Sequence, residues 1–248
     1  LSKSLKRVYD FKNIGRYHRL YFHHFDLFMW IFREFYLNFL LSATCLTEKT
    51  DLFKGLLMVD IRTQKQLYHL TDIENLGSIL RQGILPRRYL NGFVDVADPA
   101  IVASRCGLQL ENYVPFHFFA KNPFDGKVQN NHPQKNFVLL AVSRALAAAQ
   151  NWKVIPTHPL ATGQIQLLNY EDGMQAIDWE LMNRRDYRHE PCRLTCMAEC
   201  LSPYAVAPGS IFSINVRDSD SKQQVEQLKT AHGILCHVNI TPHMFVGA

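Results

Sequence analysis

"YHLTDIENLGSILRQGILPRR", residues 68–88, decides how the chain folds. Ile73, Leu76, Ile79 and Leu80 fall on one helical face, Asp72 stands where an N-cap belongs, and the pattern ends on Gly83 with Pro86 beyond it. "QLYHL" just ahead reads as a short strand. His69 therefore sits near the end of a strand that feeds a capped helix, with Thr71 two residues on. A histidine with a hydroxyl partner in that place reads as ligand-binding. Its ordinary explanation is a bond to a backbone carbonyl.

The same reading extends along the chain. "VPFHFF" (114–119) alternates like a strand and stops at the turn signal "KNPFDG". "NFVLLAVS" (136–143) is an apolar strand followed by "RALAAAQ"; "WKVIPT" and "IQLLNY" are short extended segments. "DWELMNRR" is helical, "RLTCMAECLSP" holds a strand or turn, and "IFSINVRD" is a strand. "SKQQVEQLKTAHG" is a helix closed by Gly233, and "ILCHVNITP" is the last strand. Short strands without regular helix alternation predict an α+β domain. It covers 61–248, preceded by a helical, aromatic-rich elaboration over 1–60.

Composition narrows the class. The 248 residues are 47% hydrophobic and 20% charged, a globular balance, and the net charge of +5 is compatible with a polyanionic partner without proving one. Six cysteines in a domain of this size read as reduced thiols, which predicts a cytoplasmic protein. The run at 20–41 is interrupted by His23, His24, Asp26, Arg33 and Glu34, so it predicts no membrane span, and it lacks a signal-peptide cleavage site. The sequence opens on Leu, which points to a trimmed or unusual start. "CRLTCMAEC" lacks the second half of a zinc site, and no H-E-x-x-H, P-loop, G-x-S-x-G or G-x-G-x-x-G occurs, so no metal is expected. One acid stands out. Glu199 lies between Cys196-Met197-Ala198 and Cys200-Leu201, and a carboxylate in such a run is costly unless paired or used.

Taken in order, these pieces resemble a known family. H-x-T before a helix ending "ILRQGI" is similar to the ADP-ribosyltransferase superfamily. "DPAIVASRCGLQLENYVPFHFFAKNPF" (98–124) and "IDWELMNRRDYRHEPCRLTCMAECLSP" (177–203) resemble segments of the DarT toxins, where a "YVPFYF" strand and an A-E-x-L segment occur. The resemblance covers roughly 66–217. Phe119-Ala120-Lys121-Asn122 and Met197 depart from the pattern, and 1–60 match nothing in it.

The resemblance implies two small packed β-sheets around an NAD cleft with flanking helices. It implies a bacterial toxin that moves ADP-ribose from NAD to thymine or guanine in single-stranded DNA, opposed by a DarG-like macrodomain antitoxin. The enzyme would act as a monomer without metal. Glu199 matches the catalytic glutamate, which would stabilise positive charge at the ribose C1′. Arg105 would pair with the pyrophosphate or the reacting base. His69, Thr71, Asn75, Tyr113 and Phe116 would hold NAD, Asn75 at a helix start that favours phosphate. Arg184, Arg185, Tyr187, Arg188 and Arg193 would meet DNA, with Arg87 and Arg88 as a second patch. Rival readings are the same fold acting on RNA or protein, including RNA 2′-phosphate removal, and a non-catalytic nucleic-acid-binding module.

Overall fold

The computed structural model describes residues 60–97, 99–158 and 166–247. All lie within one compact unit, 59–248. Apart from Asp60, the helical reading of 1–60 falls outside them.

Seven strands carry the fold: β1 (Gln66–Asp72), β2 (Val114–His117), β3 (Phe137–Ser143), β4 (Lys153–Ile155), β5 (Glu199–Ser202), β6 (Ile211–Val216) and β7 (His237–Ile240). The two sheets expected are joined into one, in the order β4-β5-β2-β1-β3-β6-β7. All pairs are antiparallel except β6–β7, which run parallel. The join is narrow. β1 pairs with β3 over its whole length, from Gln66↔Ser143 to Asp72↔Phe137, but meets β2 at a single register pair, Tyr68↔His117. The sheet is thus two halves along a seam, β4-β5-β2 on one side and β1-β3-β6-β7 on the other.

Strand β3 is apolar from Phe137 to Val142 because both its faces are covered. Val138, Leu140 and Val142 join Leu67, Phe116, Cys200 and Ile214 in the main core, while Phe137 and Leu139 pack on Val128 and Phe245 across the sheet. Two helices close the main core: α1 (Leu76–Gln82), through Leu76, Ile79 and Leu80, and α6 (Trp179–Arg184), through Trp179 and Met182. Asp72 caps as expected, accepting from Glu74 N at 3.0 Å, but the first turn is 3₁₀ and the α-helix begins at Leu76. Gly83 closes it at φ 91°, where a Cβ would lie 2.4 Å from the Val206 carbonyl oxygen.

Several local expectations change. "KNPFDG" begins a helix, α3 (Pro123–Asn131): the Asn122 side chain accepts from the amides of Phe124 and Asp125, and Pro123 takes the first turn, where its missing N–H costs nothing. Among the described residues of "IQLLNY" only Leu168 pairs, with Val154, before Asn169 caps α5 (Tyr170–Ala176). "CRLTCMAEC" divides into the end of α7 (Glu190–Thr195) and the start of β5, and its three thiols are buried. The remaining helices are α2 (Pro99–Gly107), α4 (Arg144–Ala149) and α8 (Ser219–His232), the last closed by Gly233 as predicted.

Arg144 stitches the seam. Buried at the start of α4, it donates to the carbonyls of Gln66 on β1, Phe118 just past β2, and Arg62. Its guanidinium also lies 5.2 Å from the Phe118 ring centroid. Carbonyls and a ring face solvate this cation inside the protein.

Candidate active site

Glu199 opens β5 between His117 on β2 and Ile155 on β4, so strand geometry faces it away from the main core that takes Cys200. Its side chain is 6% exposed and paired with Arg105 of α2, itself 17% exposed. One guanidinium nitrogen donates to both carboxylate oxygens, at 2.7 and 2.8 Å. This is the partner that a carboxylate in an apolar run requires.

Two imidazoles stand within electrostatic reach of this pair, and a third spans the seam beside it. His117, buried and opposite Glu199, has Nδ1 3.3 Å from the Ala198 carbonyl and its ring against Phe124. Burial pushes its pKa down, against the pull of the Glu199 carboxylate. His158 behaves likewise: burial lowers it and Glu199 opposes. His69 donates from Nδ1 to the Pro115 carbonyl at 2.8 Å, across the gap where β1 and β2 part. A carbonyl can only accept, so the proton sits on Nδ1 and Nε2 is left as an acceptor. Burial lowers the His69 pKa as well. The ordinary explanation for His69 is therefore correct as far as Nδ1 goes, and it aims the other nitrogen.

His69 and Glu199 do not touch. His69 pairs with Leu140 and packs on Phe116, on the main-core side of the sheet, whereas Glu199 and His117 face the other side. His117 lies within electrostatic reach of Glu199, Arg105 and His69. Sequence reasoning missed His117 and His158. His117 stands inside the alternating "YVPFHFF", where it looks like core, and nothing around His158 signals a site.

A family model, "ssDNA thymidine ADP-ribosyltransferase, DarT", matches residues 68–246. The chain belongs to the DarT family. A search of curated proteins gives no match. Thermus sp. 2.9 DarT in complex with ADP-ribosylated ssDNA is similar over 73% of this chain and 96% of its own, at TM-score 0.66 and 19% identity. The same protein with NAD+ gives 0.61 and 18%, over 74% and 98%. Thermosipho africanus DarTG in complex with ADP-ribose gives 0.57 and 24%, over 73% of this chain and 51% of that one. At these identities the likenesses fix the fold. Family membership makes the chain an NAD-dependent DNA ADP-ribosyltransferase.

The other residues matched to the DarT pattern differ in what they can reach. Phe116 is wholly buried, stacked at 5.2 Å on Trp152 and 5.6 Å from His69, so it backs His69 and cannot touch a donor. Asn75 is no phosphate site either. Its amide donates to Thr71 Oγ1 and the Val94 carbonyl while its Oδ1 accepts from Val94 N, and the helix beyond has only seven residues. Thr71 is buried beneath that network. Tyr113 is half-buried against Leu110, Ile155 and Leu201 on the Glu199 side.

The basic loop also divides. Arg184 pairs with Glu180 and Arg193 with Glu190 within their own helices, and Arg188 is exposed. Arg185 turns inward over the Phe119 ring, and the Tyr187 hydroxyl donates to the Lys121 carbonyl. In the second patch Arg87 is paired with Asp95 and lies over Phe93, while Arg88 donates to Asn112. Among the described residues no cluster could hold a metal ion, and no helix is long and apolar enough to cross a membrane.

Proposed function

We propose that the chain transfers ADP-ribose from NAD to thymidine in single-stranded DNA, with Glu199 and Arg105 as the catalytic pair. The observation that carries this reading is the buried, two-oxygen contact between them. NAD, when bound, supplies an N-glycosidic bond whose cleavage expels neutral nicotinamide with the bonding electron pair and leaves positive charge at the ribose C1′. Glu199 is the negative group for that charge, aimed by Arg105 in a buried site. Transfer to the thymine N3 releases that nitrogen's proton, and Glu199 is the base assigned to receive it.

His69 suits the donor's ribose, because its free Nε2 accepts from a hydroxyl. Phe116 and Asn75 do not enter the reading. Thymidine is chosen over guanine from the family description. A macrodomain antitoxin and a cytoplasmic location belong to the same proposal. In support, the Thermosipho DarTG chain extends well beyond the part this chain matches.

The test is the mass of short oligonucleotides after incubation with the protein and NAD. A thymidine-containing single strand should gain one ADP-ribose, and a strand without thymidine should not. Glu199→Gln should give no gain while still binding NAD. An unmodified thymidine strand with the wild-type protein would overturn the proposal.

A further inference from the structure

A groove of about 780 Å³ opens beside the site, and nothing in the chemistry above uses it. Its walls come from parts of the chain far apart in sequence. The segment before β1 gives Lys65, β1 gives Tyr68, the turn after β2 gives Phe119 and Lys121, the loop after α6 gives Arg185 and Tyr187, and β6 gives Phe212. We propose that this groove holds the stretch of single-stranded DNA flanking the modified nucleotide; the inference rests on the reading of the chain as a DNA ADP-ribosyltransferase.

Charge is the first argument. Among the described residues, three cations line the groove and no carboxylate does, which suits a phosphodiester strand. The second is the aromatic surface. Phe212 is 56% exposed in the middle of a strand, an apolar ring with no cover of its own, and Tyr187 is half-buried with its hydroxyl tied to Lys121. Cations interleaved with ring faces are the common equipment for unpaired nucleotides, since every base has a face to stack. Arg185 joins them: its guanidinium lies over Phe119, 5.1 Å from the ring centroid.

Position is the third argument. Tyr68 pairs with His117 and His117 with Glu199, so the groove wall and the carboxylate stand in one row across three strands, on one face of the sheet. Two strand spacings make about 10 Å. That is roughly three stacked nucleotides at about 3.4 Å each. A strand with its target base at Glu199 therefore reaches the groove within a few nucleotides.

Phe212→Ala and Lys65→Ala/Lys121→Ala test this without touching the catalytic pair. Affinity for a fluorescent thymidine-containing single strand is measured at several salt concentrations, with NAD affinity measured in parallel. Loss of the Phe212 ring should weaken strand binding roughly 5- to 150-fold. The double lysine variant should reduce the slope of log affinity against log salt by about 1.4. NAD affinity should not change in either. Strand binding equal to wild type in both variants would overturn the proposal. So would weakened NAD binding with strand binding intact, which would make the groove a dinucleotide subsite. Failure of the wider reading looks different: wild-type protein leaves the oligonucleotide mass unchanged whatever the variants do.

Discussion

Arg105→Ala strands the Glu199 carboxylate, and the cost follows from where the pair sits. Breaking a buried pair by removing one partner costs about 3–5 kcal/mol, because the surviving charge is left in a poorly solvated place. Arg105 retains 17% exposure and Glu199 only 6%, so the two single variants are not equivalent. Without Glu199 the guanidinium can turn to water. Without Arg105 the carboxylate cannot. We expect about 3 kcal/mol of destabilisation for Arg105→Ala and about 1 kcal/mol for Glu199→Ala, with the double variant close to the latter. In a domain of this size 3 kcal/mol lowers Tm by about 6–12 °C. Urea denaturation of the four proteins closes the cycle and should return a coupling of about 3 kcal/mol. Losses that simply add in the double variant would refute the reasoning, as would an Arg105→Ala protein of wild-type stability.

His69→Ala should raise KM for NAD more than it lowers kcat, because its Nε2 is assigned to ground-state binding; steady-state kinetics separates the two. Burial lowers the pKa of His69, His117 and His158, so the folded state takes up protons less readily than the unfolded chain. The stability these groups contribute is present above about pH 6.5 and is lost as pH falls below it, and urea midpoints in His69→Gln should show a shallower loss. Asp125 works in the opposite sense. Burial pushes its carboxyl up to about 8, so it costs stability increasingly as pH rises from about 4 to 8. The advantage of Asp125→Asn over wild type should grow across that range, and parallel urea curves would show the carboxyl to be ionised already. Gly83→Ala should cost more than about 1 kcal/mol in the same assay, because the backbone is left-handed there and the Val206 carbonyl blocks a Cβ.

The sequence was most legible where several signals agreed. Asp72, the apolar face from Ile73 to Leu80, and Gly83 all pointed to one helix, and the helix is there. The helix at Pro123–Asn131 was hidden because an Asn-Pro pair opens turns and helices alike, and its later residues are polar. Sheet continuity could not be read, since it depends on one β1–β2 register pair. Glu199 was visible as a lone charge in an apolar run, which is a local property. Arg105 came forward only through resemblance, because its significance lies in a contact 94 residues away. Phe116 and Asn75 were over-read for the converse reason: the resemblance fixed their place in the chain, and packing fixed what they could touch. Of the groove, only the Arg185 and Tyr187 wall was legible, because the other walls lie far from it in sequence and meet it only in the fold.

The seam between β1 and β2 bears on how such a site can change through descent. In a fully laddered sheet the spacing of two strands is held by main-chain bonds, which are indifferent to the side chains. Here His69 to Pro115 and Arg144 to the carbonyls of Gln66 and Phe118 supply much of the tie between the halves that carry His69 and Glu199. Spacing between these two residues is thereby written in replaceable side chains. Single substitutions can retune it while both half-sheets keep their own ladders, so the reactive geometry can drift without the fold being rebuilt.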